Sequence, residues 1–291
     1  WLSERYGRDS AGPMALVHGC ATFGAMVIEW PLLLVSHTGC IDAGCVAVYD
    51  LDSAEGFAAP IQMLEGQAFT TTSAAQFGAG IALGTFADGT RLLAVGAPAD
   101  NGVAAESGAV YVFRPDINGT WVLATRLGPG VDEALGLHLG SSVAVTRHGI
   151  VAGAPGAQAG RGAAFVFEPV ERTDAGDSGV AALPAVEHMA ADQRVLRWQR
   201  TARFAPTTVA QDHRFGASVS FDRYAGVVAV GTVGDRVVYT RVITDVPLAD
   251  VSGISLGRSL QWAACVRQEA FTPIGACPSL ALQPPSTGGG S

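Results

Sequence analysis

The chain has no lysine: all 18 of its basic residues are arginine. Schiff-base chemistry and phosphate binding by a P-loop lysine are therefore excluded. Charge of either sign is sparse, at 15% of the 291 residues, and the formal net charge is −8. An acidic chain without basic clusters offers no electrostatic match to nucleic acid or to an anionic membrane. No run of 18 or more apolar residues occurs, so no membrane-inserted helix is expected. There is no C-x-x-C, and no G-x-G-x-x-G follows a strand and opens a helix. The six histidines, His18, His37, His138, His148, His188 and His213, are scattered without metal-ligand spacing. The chain opens at Trp1 rather than Met, which reads as a processed or partial product, and no signal-peptide pattern is visible.

What the chain has is apolar residues, glycine and repetition. The apolar fraction of 48% is ample for a core, and 37 glycines suit a chain that turns often. Four segments begin alike: "FGAMVIEWPLLLVS" at Phe23, "FGAGIALGTFADGTRLLAVGAP" at Phe77, "LGSSVAVTRHGIVAGAP" at Leu139 and "FGASVSFDRYAGVVAVGT" at Phe215. Each reads as two short strands joined by a turn. A third strand comes after each: "GCVAVYD", "GAVYVF", "GAAFVF" and "DRVVYTRV". A fourth is expected at "FAAPIQML", "WVLATRL" and "VLRWQRTARF". Four short strands per unit predict an all-β chain, a β-propeller of four-stranded blades. A lone four-stranded sheet cannot bury both faces, whereas radial packing covers each face with a neighbouring blade.

The Phe-Gly starts and the "GAP" endings at Gly96-Ala97-Pro98 and Gly153-Ala154-Pro155 resemble the FG-GAP repeat, the blade unit of integrin α-chain β-propellers. The likeness runs from about Thr22 to Val242, with "GAP" degraded to "GTV" at Gly231 and "SHT" at Ser36. One domain over residues 1–280 is expected, with clear blades starting near 23, 77, 139 and 215. A degenerate fifth unit is expected within 254–280, and "PPSTGGGS" reads as part of a flexible tail over 281–291. The segment Thr173–Trp198 reads as an insertion in the third unit.

Integrin-like blades often carry a D-x-D-x-D-G calcium loop between their first two strands. The corresponding loops here offer one carboxylate each, at Glu29, Asp88 and Asp222, or none. Calcium takes six to eight oxygen ligands, so no cofactor is expected, and Asp88 and Asp222 are the residues to inspect. "GISLG" matches the nucleophile-elbow pattern around Ser255. The residues after it, "RSLQWAACV", read as a strand rather than a helix, and no histidine lies beyond His213. No catalytic residue is assigned.

The five cysteines are Cys20, Cys40, Cys45, Cys265 and Cys277. "CIDAGC" places Cys40 and Cys45 across a turn, and Cys265 and Cys277 form a second local pair. Two disulfides are expected, with Cys20 left over; five reduced, buried thiols are the alternative. The sequon Asn118-Gly119-Thr120 falls between the third and fourth strands of the second unit, where it would be an exposed glycan acceptor in a secreted protein. The resemblance implies an extracellular or cell-surface module for adhesion or assembly, non-catalytic, with a protein or glycan partner. Its binding loops would include Asp100, Asn101, Gln158, Arg161 and Asp235. Two other readings stay open: a structural subunit of an extracellular filament or coat, and a propeller enzyme, such as a hydrolase, with its site at the central mouth.

Overall fold

The computed structural model describes residues 24–39, 43–53, 59–70, 74–130, 135–170, 197–205, 209–222, 227–233, 237–242 and 263–266. Among these residues, sixteen strands form four antiparallel four-stranded sheets, each a meander in chain order. The first blade holds β1 (Met26–Glu29), β2 (Leu32–His37), β3 (Cys45–Asp50) and β4 (Gln62–Glu65). The second holds β5 (Ile81–Thr85), β6 (Arg91–Ala97), β7 (Ala109–Pro115) and β8 (Trp121–Leu127). The third holds β9 (Ser142–Val145), β10 (Ile150–Ala154), β11 (Ala163–Val170) and β12 (Arg197–Phe204). The fourth holds β13 (Ser218–Asp222), β14 (Val227–Gly231), β15 (Val237–Val242) and β16 (Ala263–Val266). The chain is an all-β propeller of four-stranded blades.

One expectation changes here. Ala263–Val266 pairs with β15 and completes the fourth blade, so this stretch does not start a fifth unit. The sequence shows this stretch as a strand but hides its partner, because twenty residues of the chain separate it from β15. The segment 171–196, the N-terminal stretch before Gly24 and the tail 281–291 lie outside the described residues, as do Cys20, Cys40, Cys277, Asp235 and Ser255.

The blades pack through their alternating apolar residues. Leu34, Val46 and Val48 of the first blade meet Ile81, Leu93, Val95, Tyr111 and Phe113 of the second. Leu92, Val110 and Val112 meet Val143, Ile150, Phe165 and Phe167. Val151, Ala164 and Val166 meet Phe215, Val228 and Val230. Each fully buried aromatic stabilises the stack by about 1.5–3 kcal/mol relative to exposure.

The repeated Phe-Gly has a mechanical meaning. Phe77, Leu139 and Phe215 are fully buried, and each N–H donates across to the preceding blade, to the carbonyls of Ala43, Ser107 and Arg161. The glycine that follows donates within its own blade: Gly78 to Gly96, Gly140 to Gly153 and Gly216 to Gly231. Each glycine has φ near +90°, a conformation that disfavours any Cβ. The "GAP" glycine completes the contact. A Cβ on Gly96 would fall inside the van der Waals envelope of the Gly140 carbonyl, and one on Gly153 inside that of Gly216. Each blade's Phe-Gly turn is thus seated on the second strand of the blade before it. At the first interface Ser36 stands in for the glycine. Its Oγ accepts the Ala25 N–H at 2.8 Å and donates to the Ala25 carbonyl at 3.1 Å.

The fourth blade ends the described series. Ser218, Ser220 and Asp222 occupy the positions of Gly80, Ala82 and Gly84 and are exposed. In blades two and three the ladder between third and fourth strands slips at the same place, at Val112/Phe113 and at Val166/Phe167. Bulges there twist the outer strands and blunt their edges against edge-to-edge pairing.

Candidate functional site

Loops between the second and third strands of each blade lie at the same end as the segments that enter the next blade. Backbone hydrogen bonds stitch them into one belt. In the second blade, Gly136 donates to Ala105 at 3.0 Å and His138 to Glu106 at 3.0 Å. In the third, Gly156 donates to Leu137 at 3.1 Å and Arg214 to Gly160 at 2.9 Å. In the fourth, Val233 donates to His213 at 2.8 Å. Gln76, His138 and Arg214, each just before a buried Phe or Leu, all hold φ between 53° and 56°. That left-handed geometry is uncommon outside glycine. It repeats because the turn must close at once: Ala79, Ser141 and Ala217 donate back to the carbonyls of those three residues.

The loop over 97–107 is pinned by a buried ionic cluster. Asp100 is completely buried. Its carboxylate accepts from the Tyr111 hydroxyl and from the Gly102 N–H at 2.8 Å, and it forms an ion pair with the Arg126 guanidinium at 3.3 Å. Arg126 also donates Nε to the Tyr111 oxygen at 3.2 Å and lies over the Tyr111 ring. Gly102 has no side chain because the guanidinium lies against its Cα. Asp100 further organises the loop through its carbonyl, which accepts from Ser107 Oγ at 3.1 Å and Gly108 N at 2.9 Å. A buried charge persists only when paired and hydrogen-bonded, and this one is.

The third blade solves the same position differently. Counting from the "GAP" glycines, Ala157 stands where the second blade has Asp100. Phe165 stands for Tyr111, and Arg203, paired with Phe165 as Arg126 is with Tyr111, lies over the Phe165 ring at 5.9 Å. The blade therefore does not need the carboxylate and the phenol. They serve the loop.

Burial, then the hydrogen bond and charge of Asp100, hold the Tyr111 phenol above its ordinary 10.0, with Arg126 opposing. Tyr49 is raised too, by burial and then by Cys45. A raised folded-state value favours the protonated, native form. That stabilisation is whole below pH 10.0 and is lost as pH rises beyond it. In a spectrophotometric titration, Tyr49 and Tyr111 should ionise late, together with loss of the native circular dichroism. Ionisation of all five tyrosines in one step with the fold intact would contradict this.

Asp100, expected as a partner contact, is instead buried, and its role is to shape the loop. Asn101 and Gln158 are exposed on the belt, and Arg161 is half-buried there. Asp88, in the β5–β6 turn, and Asp222, at the end of β13, are exposed and separate, and among the described residues no three His, Cys, Asp or Glu side chains converge on a metal-sized site. Cys45 is a free, buried thiol, so the expected Cys40–Cys45 bridge is not formed. Its register neighbours are His37 on β2 and Glu65 on β4. Burial, then the Glu65 charge, push the thiol up to about 11, which keeps it protonated and unreactive. Sequence spacing concealed this row, because the three residues come from three strands. The Cys265–Cys277 pair remains an expectation, since Cys277 lies outside the described residues.

No family model and no curated protein matches the chain. Among solved structures it is similar to KlAtg21 in complex with the coiled-coil of AgAtg16, at 10% identity and TM-score 0.43, covering 77% of this chain and 53% of that one. It is also similar to Hsv2 of Kluyvelomyces marxianus, at 11% identity and TM-score 0.36, covering 85% of this chain and 72% of that one. The chain thus spans about half the length of the first of these.

The comparisons correct the functional expectation. Neither similar structure is described as an integrin-type or extracellular adhesion protein. The extracellular or cell-surface placement, the adhesion role, the cell-surface protein or glycan partner and the extracellular filament subunit are withdrawn. They rested on the FG-GAP resemblance, whose motifs report how blades interlock and carry no information about compartment. Asn118 is exposed at the β7–β8 hairpin tip, but its assignment as a glycan acceptor depended on secretion and goes with that placement.

Proposed function

We propose that this chain is a non-catalytic scaffold that binds a protein segment on the belt of loops joining blades two to four. The observation that carries this reading is the Asp100–Tyr111–Arg126 cluster. It fixes one loop of the belt with buried charge where the neighbouring blade uses alanine and phenylalanine. A rigid scaffold that displays ordered loops is the common basis of recognition by such folds. The belt exposes apolar Val103, Leu135 and Val233 beside polar Asn101, Glu106, Gln158 and Asp212. Interleaved apolar and polar groups suit a polypeptide better than a polyanion. The blade unit itself fits an FG-GAP-type repeat, on the strength of the glycine contacts between successive blades.

The test is site-specific photo-crosslinking in cells of the source. A photoreactive residue at Leu135 or Val233 should capture a common protein partner. One at Ile117, on the opposite end of the second blade, should not. Adding Val103→Ser and Glu106→Ser should remove the capture while the melting temperature stays nearly unchanged. Equal capture from Ile117, or capture indifferent to the two substitutions, would place the interface elsewhere.

A further inference from the structure

The chain contains only two asparagines, Asn101 and Asn118, and glycine follows both. An Asn-Gly pair is predisposed to cyclise, because glycine has no side chain to obstruct attack by its own nitrogen. The structure treats the two pairs in opposite ways.

At Asn101 every participant is held. The side-chain Oδ1 accepts the Glu106 N–H at 2.7 Å. The Gly102 N–H, the nucleophile-to-be, donates to the buried Asp100 carboxylate at 2.8 Å. The space beside the Gly102 Cα is filled by the Arg126 guanidinium.

At Asn118 the opposite holds. The pair sits at the tip of the β7–β8 hairpin, next to Ile117, which is 91% exposed. Asp116 organises the backbone by accepting from the Asn118 and Thr120 N–H groups at 2.8 Å each. The Asn118 side chain is exposed and has no hydrogen-bond partner among the described residues. Nothing lies within 4 Å of a Cβ built on Gly119. The Gly119 N–H has a single, longer bond, to the Asp116 carbonyl at 3.1 Å.

We infer that Asn118-Gly119 is a site of spontaneous deamidation and isoaspartate formation in the folded protein, and that the Asp100 cluster protects Asn101-Gly102 from the same reaction. The Gly119 nitrogen gives its proton to solvent base and bonds to Asn118 Cγ. The Cγ–Nδ2 bond breaks, and the amide nitrogen leaves as ammonia after taking a proton from water. Water then adds to one of the two imide carbonyls and opens the ring to an aspartyl or an isoaspartyl residue. Either product adds one negative charge beside Asp116. The isoaspartyl form also lengthens the hairpin backbone by one carbon.

The experiment ages the full chain at mildly alkaline pH, with and without urea, and follows both sites by peptide mass mapping. In the folded chain the Asn118 peptide should gain one mass unit at least about tenfold faster than the Asn101 peptide, equivalent to ~1.4 kcal/mol of barrier. In urea the two rates should converge. Arg126→Met, which uncovers Gly102, should speed Asn101 and leave Asn118 unchanged. Comparable rates in the folded chain, or an Asn118 peptide that stays intact when folded and converts in urea, would overturn the assignment.

Discussion

Replacing Gly96 with alanine is expected to cost the fold about 3–4 kcal/mol, a large share of the stability of a typical domain. The new Cβ would occupy the place of the Gly140 carbonyl oxygen, which belongs to backbone and cannot swing aside. Relief requires the second and third blades to separate where Phe165 and its apolar neighbours pack. Gly153→Ala should behave alike, against the Gly216 carbonyl. Gly89→Ala is the control. Its φ is +88°, but nothing lies within 4 Å of its Cβ, so it should lose only about 1 kcal/mol, from backbone strain. Urea denaturation of the three variants decides the matter. Equal losses at all three positions would mean that conformational strain, and not the contact between blades, explains these glycines.

The second large effect concerns the buried charge. Asp100→Ala is expected to destabilise by about 2–4 kcal/mol, because it strips the Tyr111 hydroxyl and the Gly102 N–H of their partner and leaves Arg126 without its counter-charge. Removing both partners is cheaper than removing one, since an unpaired buried group bears the whole desolvation penalty. Asp100→Ala with Tyr111→Phe should therefore recover about 1–2 kcal/mol of the loss. That double variant reproduces the Ala157, Phe165 and Arg203 set which the third blade already uses. The loop over 97–107 should still lose its shape in the double variant, so capture through Leu135 should fall even as stability returns. If the double variant is no more stable than Asp100→Ala, the three side chains do not act as a coupled unit. If capture recovers along with stability, the loop is not what the cluster serves.

The sequence by itself determined the blade. Alternating small and β-branched residues, glycine at the turns and four similar starts gave three strands of every unit and the order of the blades, because those features are local and recur in register. It also marked the glycines at 78, 96, 140, 153 and 216 without showing their purpose. That Gly96 lies under the carbonyl of Gly140 is a relation between two blades, and no local pattern encodes it. The same limit hid that the strand Ala263–Val266 belongs to the last blade, because its partner β15 is remote in the chain. It led to a disulfide at Cys45, where the sheet instead sets a buried thiol between His37 and Glu65. Asp100 sits in a polar, turn-rich stretch, and such stretches are exposed unless something remote covers them. Only the tertiary structure brings Tyr111 and Arg126 over that carboxylate. A surface loop residue thereby becomes a buried charge, because charge is stable in a protein interior only where distant parts of the chain supply its partners.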